Sequence, residues 1–178
     1  MTVAIDGTTG IDTIQDSAVA TADIANGAVT PAKTQVGALP SMVTVSGSST
    51  NGSTSTCINI YGTVEVNQGS DITRATSGTL GDTFTINTNG TYTISSTQTK
   101  GASAGYVGIS LNTTQLTTAI ESLTNVSEVL ARGYSSGTFA LPLSWTGYLA
   151  AGSVVRSHGT TQALTASPAS KFTIVRVA

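Results

Sequence analysis

An Asn-Gly dipeptide between two stretches of alternating residues constrains the fold of this chain more than any other feature. Apolar residues alternate with threonine in residues 83–86, before Asn89-Gly90, and again in residues 91–94 after it. A period of two places the apolar side chains on one face of a β-strand. Asn and Gly both tolerate the positive φ angles of a tight hairpin turn. The pattern therefore predicts an antiparallel hairpin centred on Asn89-Gly90.

The same alternation recurs along the chain after residue 57. The composition supports strands, because 33 threonines favour a pleated backbone and 19 glycines mark turns. At least six short strands separated by turn signals predict an all-β, antiparallel sandwich or jelly roll. Residues 115–130 stay ambiguous between a helix and strands with a loop. The last strand, residues 172–177, is apolar on both faces, which predicts a central position or a subunit contact.

Charge is scarce, at 9% of residues with a net charge of -2, against about 25% charged residues in ordinary soluble domains. A permanent oligomer would account for this, because obligate interfaces are depleted in charge. No basic cluster favours nucleic acid, and no apolar run is long enough for a membrane helix. The N-terminus has no signal-peptide pattern, and the single Cys57 cannot form an internal disulfide. We therefore expect no nucleic acid partner and no membrane insertion.

The first forty residues differ from the rest, because they contain no aromatic residue and carry a ten-residue repeat. Residues 14–23 and 24–33 share the pattern Ile-x-[Asp/Asn]-[Ser/Gly]-Ala-Val-x-x-Ala. A unit this small cannot bury its Ile and Val alone. Residues 1–40 are therefore predicted to form an extended arm that is ordered by contact with a partner; a flexible linker is the alternative. The anchoring candidates are the larger apolar residues of the two repeats: Ile14, Val19, Ile24 and Val29.

Residues 41–57 are rich in Ser, Thr and Gly and are predicted to be a linker or hinge. Residues 58–178 are predicted to form the β-domain. The domain organisation expected from the sequence is therefore an arm over 1–40, a linker over 41–57 and a jelly roll over 58–178.

Three ordered motifs in residues 58–178 resemble the C1q/TNF-type jelly roll. Residues 82–94 are similar to the family's phenylalanine strand followed by a Gly-x-Tyr strand. Residues 145–156 resemble its Leu-x-x-Gly-Asp-x-Val segment, with Ser153 in place of Asp. Residues 170–175 resemble the closing Ser-x-Phe-x-Gly strand, with Ile174 in place of Gly. The resemblance implies a homotrimer whose closing strands lie near the threefold axis.

The trimer implied by this resemblance gives four candidates for the subunit interface, all in the closing strand: Phe172, Ile174, Val175 and Val177. The decapeptide repeat is itself similar to the Ala-Val-Thr-x-Ala-Lys repeats of bacteriophage tail fibres and related virion proteins. An attachment arm followed by a compact trimeric knob is the layout that this second resemblance implies.

Little in the sequence points to catalysis. His158 is the only histidine, and its neighbour Ser157 would point to the opposite face of a strand. Asp71 and Asp82 could bind calcium with loop carbonyls, but a turn role is favoured. Cys57 precedes a strand and is expected to be a small buried hydrophobe. No catalytic residue, metal site or cofactor is therefore predicted, and the chain is not expected to be an enzyme.

Three functions compete at this point. The first is a trimeric decoration protein (a cement protein or head fibre) on the exterior of a bacteriophage particle, bound to the major capsid protein or another virion protein. The second is the tip of a tail fibre or spike that binds a host-surface glycan. The third, a hydrolase of the host envelope, lacks a recognisable acid/base pair. In the second of these functions, three aromatic residues are the candidates for contacting the glycan: Tyr106, Tyr134 and Trp145.

Overall fold

A computed structural model describes residues 40–99, 104–136, 140–160 and 170–178. Within these residues ten strands form two antiparallel five-stranded sheets that pack face to face. The prediction of an all-β antiparallel jelly-roll sandwich is confirmed. The strands are β1 Met42–Asn51, β2 Asn59–Gln68, β3 Ile72–Ala75, β4 Thr83–Ile86, β5 Gly90–Thr99, β6 Gly105–Leu111, β7 Val129–Ser135, β8 Ala140–Leu149, β9 Val154–Gly159 and β10 Lys171–Arg176.

The two sheets differ in strand order. The front sheet has the order β2-β1-β10-β5-β8, and the back sheet has the order β3-β4-β9-β6-β7. From β4 onward the chain crosses repeatedly between the sheets. The closing strand β10 is therefore the middle strand of the front sheet, which confirms its predicted central position.

The core lies between the sheets and is built from the alternate residues that the sequence pattern marks as apolar. Phe172 of the front sheet stacks on Phe84 of the back sheet, with ring centroids 4.9 Å apart, and Tyr61 lies 6.1 Å from Phe172. All three side chains are buried. The alternation therefore reports the inner face of each sheet, as expected for a sandwich with one buried and one exposed face per sheet.

The hairpin predicted at Asn89-Gly90 is wrong. β4 pairs with β3 and β9 in the back sheet, whereas β5 pairs with β10 and β8 in the front sheet, so the dipeptide crosses between sheets. Asn89 accepts a hydrogen bond from the Ala151 amide at 2.7 Å. A Cβ at Gly90 would collide with the Ala178 carbonyl oxygen. Glycine is required here for a close backbone approach rather than for a tight turn.

The predicted linker at 41–57 is also wrong for most of its length, because residues 42–51 form β1. This strand pairs with β10 on one side and β2 on the other. Val43 and Val45 face the core and are 1% and 0% exposed. The Ser- and Thr-rich composition resembles a loop, but hydroxyl side chains also suit the outward face of a strand.

Residues 113–128, here called the cover segment, lie over the outer face of the back sheet. The segment contains two short 3₁₀-helices, Ile120–Ser122 and Val126–Glu128, so the ambiguous region is neither an α-helix nor a regular strand pair. Ile120 occupies the space where a side chain at Gly108 would lie. The Cys57 amide donates a hydrogen bond to the Leu116 carbonyl at 3.1 Å. The cover segment is therefore attached to the sandwich through both packing and hydrogen bonds.

Candidate functional site: the outer face of the front sheet

The outer face of the front sheet, here called the front face, is lined by rows of hydroxyl side chains. One row runs through Thr44, Thr173, Ser95 and Ser144, which are cross-strand neighbours on β1, β10, β5 and β8. The Thr44 and Thr173 hydroxyls are 3.1 Å apart. Because the Thr44 and Thr173 hydroxyls hydrogen-bond to each other across the strands, these two need fewer bonds to water.

The next row adds aliphatic and aromatic surface. Met42, Val175, Thr93 and Thr146 are cross-strand neighbours, and the Thr93 and Thr146 hydroxyls are 3.0 Å apart. Tyr148 lies two residues beyond Thr146 on the same face of β8, and its side chain is 65% exposed. Toward this end the front face is therefore apolar as well as uncharged.

The Lys171–Glu65 pair is the charged feature of this face among the described residues. The Lys171 ammonium lies 2.9 Å from a Glu65 carboxylate oxygen. The hydrogen bond from Lys171, assisted by one from Ser46, holds the pKa of Glu65 below its ordinary value. The pair is exposed and neutralises itself, so it contributes little to the stability of the subunit.

The other charges that the described ranges contain lie elsewhere. The Arg74 guanidinium is 2.7 Å from the buried Asp82 carboxylate, beside the Tyr61 amide, which donates to the same oxygen at 3.0 Å.

Asp71 accepts hydrogen bonds from Ser41 at 2.8 Å and Thr88 at 2.6 Å. Both carboxylates suggested for calcium are thus engaged with protein donors. No group of three or more His, Cys, Asp and Glu residues suited to a metal occurs in the described part of the chain.

The closing strand contributes only half of its predicted interface residues to the front face. Phe172 and Ile174 are fully buried between the sheets, so their side chains cannot contact another subunit. Val175 lies on the outer face of β10 and is half-buried. Val177, two residues further along the chain, is 55% exposed. The prediction of Phe172 and Ile174 as interface residues is therefore wrong, because alternation in β10 turns them inward. Val175 and Val177 remain candidates.

Tyr148 is the residue of this face that sequence reasoning missed as an interface candidate. Leu141, Leu143 and Trp145 lie on the face of β8 that points toward the core. Tyr148 lies an odd number of residues from each of them and therefore points outward. A large aromatic residue on the parity opposite to the core signals an exposed contact residue. That signal was present in the sequence.

The glycan candidates separate into a pair and an outlier. Tyr106 and Tyr134 face each other across β6 and β7 on the back sheet, with ring centroids 5.1 Å apart and an interplanar angle of 62°. Tyr134 is 55% exposed. Trp145 instead packs against the core from β8. The three rings therefore do not form one cluster, and only Tyr106 and Tyr134 remain candidates for binding a glycan. The predicted anchors Ile14, Val19, Ile24 and Val29 lie outside the described residues.

The groups most capable of chemistry point away from one another. Ser157 faces the interior, where Asn59 and Gln98 donate to its hydroxyl at 2.7 and 3.1 Å and the Tyr61 hydroxyl lies 2.9 Å away. Burial raises the pKa of Tyr61. His158 faces the opposite side of the sheet, toward the cover segment. A serine and a histidine on opposite faces cannot act as nucleophile and base. Cys57 is fully buried, as predicted.

The sandwich geometry defines the class of fold, and comparison with known structures agrees. Crystal structures of murine APRIL at pH 8.5 and pH 8.0 superpose with TM-scores of 0.54 and 0.55, at 14% and 13% identity. In both comparisons the match covers 78% of this chain and 100% of the other. Rabbit GITRL gives a TM-score of 0.49 at 12% identity, over 77% of this chain and 93% of the other.

The similarity to the two APRIL structures shows a shared TNF-like jelly roll and nothing about a shared activity. Neither the protein-family models nor the curated protein sequences gave a match to the chain. Among the described residues, no helix has the length and apolar character needed to cross a bilayer.

Proposed function

We propose that this protein is a non-enzymatic structural protein of a bacteriophage particle. Its jelly rolls associate as a homotrimer through the front face, and residues 1–40 attach the trimer to the exterior of the capsid. The observation that carries the proposal is a broad sheet face that, in the described residues, has one charge pair, which neutralises itself, and two threonine pairs hydrogen-bonded across strands, Thr44–Thr173 and Thr93–Thr146.

The front face suits a protein contact better than exposure to water. Stable interfaces are depleted in charged residues and enriched in aromatic residues such as tyrosine. Burying a hydroxyl that already has a partner avoids the penalty of leaving a polar group unsatisfied. Tyr148, Val175 and Met42 supply the apolar surface whose burial drives association. A second and third copy of the same chain are the partners that the trimer implied by the sequence motifs requires.

The virion assignment is supported by the arm. The two ten-residue repeats place an Ile and a Val at equivalent positions, as expected for a segment that binds a repeating surface. The arm leads into the sandwich at Ser41, whose hydroxyl bonds to Asp71 and whose carbonyl accepts from the Arg176 amide at 2.9 Å. The partner proposed for the arm is the major capsid protein or another virion protein.

A pair of matched variants tests the trimer. Thr93→Arg places a cation in the middle of the front face, whereas Thr85→Arg places one on the outer face of the back sheet. Both threonines are half-buried mid-strand residues flanked by buried apolar residues. Sedimentation should show that Thr93→Arg yields folded monomers and that Thr85→Arg leaves the oligomer intact. Equal effects of both substitutions, or of neither, would contradict assembly through the front face.

Location on the particle needs a separate experiment. Immunogold labelling of virions should place the protein on the capsid shell, and deletion of residues 1–33 should abolish particle binding without dissociating the trimer. Labelling confined to the tail would refute the capsid assignment and leave the trimer proposal intact.

The paired tyrosines favour a second candidate, a receptor-binding tip that recognises a host-surface glycan. Tyr106 and Tyr134 lie where β6 begins and β7 ends, near Gly159. Ser41, where the arm joins, lies instead near the end of β10. The rings are therefore at the end of the sandwich opposite to Ser41, which follows the arm in the sequence. A glycan array with wild type and Tyr134→Ala tests this candidate, and binding that survives the substitution would exclude these rings as the site.

A further inference from the structure

The single histidine of the chain is placed as a link between the sandwich and the cover segment. His158 Nε2 donates a hydrogen bond to the Thr118 carbonyl at 2.7 Å, and Nδ1 lies 3.1 Å from the Ser110 hydroxyl. Because a carbonyl only accepts, the neutral ring carries its proton on Nε2, and Nδ1 accepts from Ser110. Both residues on the sandwich side, Ser110 and His158, are fully buried.

The surroundings of the ring are unsuited to a second proton. Protonation of Nδ1 would force the Ser110 hydroxyl to reverse from donor to acceptor. The new cation would have one carbonyl and one hydroxyl as partners and would lie near Arg156, which already donates to the Thr113 carbonyl at 3.2 Å. Burial, and secondarily Arg156, lower the pKa of His158, whereas the Thr118 carbonyl and Glu128 oppose the shift. The neighbouring Cys57 contributes a backbone carbonyl that bonds to the Gly159 amide.

Opening of the cover segment relieves this conflict at a lower cost than unfolding the sandwich. The segment buries two apolar side chains of appreciable size, Ile120 and Leu123, and its hydrogen bonds to the sandwich are made by the carbonyls of Thr113, Leu116, Thr118 and Glu121. Elements with little burial open locally while the core stays folded. Opening exposes the imidazole to water, where its cation is stable.

We infer that His158 is an acid-sensitive latch: mild acid releases the cover segment from the back sheet and leaves the two-sheet sandwich folded. The device couples the accessibility of the back sheet, including Gly108 and Ser110, to the pH of the surroundings. It is independent of the proposed trimer, which uses the opposite sheet.

Hydrogen exchange of the full chain tests the latch. The Cys57 amide, which bonds to the Leu116 carbonyl across the junction, reports opening; the Ile86 amide, bonded to Ser153 at 2.8 Å in the sandwich, is the control. Between about pH 7.5 and pH 5, opening at Cys57 should increase severalfold, up to the limit of about thirtyfold set by an exposed imidazole with a pKa near 6.5. Exchange at Ile86 should not change beyond the intrinsic pH effect.

His158→Gln retains an amide donor for Thr118 but does not titrate. In this variant, opening of the cover segment, measured by exchange of the Cys57 amide, should be independent of pH. The NMR titration of the single imidazole in the wild type gives a second, variant-free measurement, with an expected pKa below 6.5. An imidazole pKa at or above 6.5, or equal pH dependence in wild type and variant, would overturn the latch.

Discussion

The substitution Phe172→Ala separates two roles for the closing strand: a core strand within one subunit or a contact between subunits. Phe172 is 0% exposed and stacks on Phe84 at 4.9 Å, with Tyr61 at 6.1 Å. Truncating a buried phenylalanine removes its transfer free energy and leaves a cavity, at a cost of about 3–5 kcal/mol. That is a large share of the about 5–15 kcal/mol that stabilises a typical domain. Val175→Ala, three residues along on the outward face, should cost less than about 1 kcal/mol in subunit stability.

Urea denaturation at two protein concentrations, tenfold apart, measures both variants. The loss for Phe172→Ala, taken relative to the wild type at the same concentration, should be equal at both concentrations, because the lost contacts lie within one subunit. A loss below about 1 kcal/mol, or a loss that grows on dilution, would show that Phe172 is not a core residue and would refute this reading of β10.

Three further perturbations follow from the same contacts, each measured by chemical denaturation. Arg74→Met leaves the buried Asp82 carboxylate without its cation and should cost about 3–5 kcal/mol, most of which a second change, Asp82→Leu, should restore; no restoration would mean that the ion pair is not the cause. Hydrogen bonds from Thr88 and Ser41 lower the pKa of Asp71, so its stabilisation is complete above the unfolded pKa near 3.8 and is lost as the pH falls through the lower folded value. Asp71→Asn should therefore weaken the fall in the free energy of unfolding at acid pH. An unchanged fall would contradict a contribution of Asp71 to acid stability. Gly90→Ala should cost about 1–3 kcal/mol through its clash with the Ala178 carbonyl, and deleting Ala178 should relieve most of that cost.

The inner face of the sandwich could be predicted from the sequence because it depends on local alternation. Phe84, Tyr92 and Ile94 all face the core, as the period of two requires. The parity of β10 could have been read in the same way. Lys171 and Thr173 occupy the outward positions, so Phe172 and Ile174 had to be inward; the apolar residues at the end of the strand obscured this.

Features that depend on distant segments could not be predicted in the same way. Asn89-Gly90 has the composition of a hairpin turn, but its glycine is required by the C-terminus, which lies 88 residues further along the chain. β1 resembles a loop in composition and becomes a strand because β10 pairs with it. The T-shaped tyrosine pair and the link between His158 and Thr118 likewise follow from topology, since no local motif brings their partners together.

The mass of the full chain in solution tests the central claim most directly. Sedimentation equilibrium of the purified protein should give a single species of about three times the chain mass of 17.9 kDa, stable on dilution because three front faces are buried together. A species of 17.9 kDa that persists at high protein concentration would contradict the claim that this charge-poor sheet face is a contact between copies of the chain.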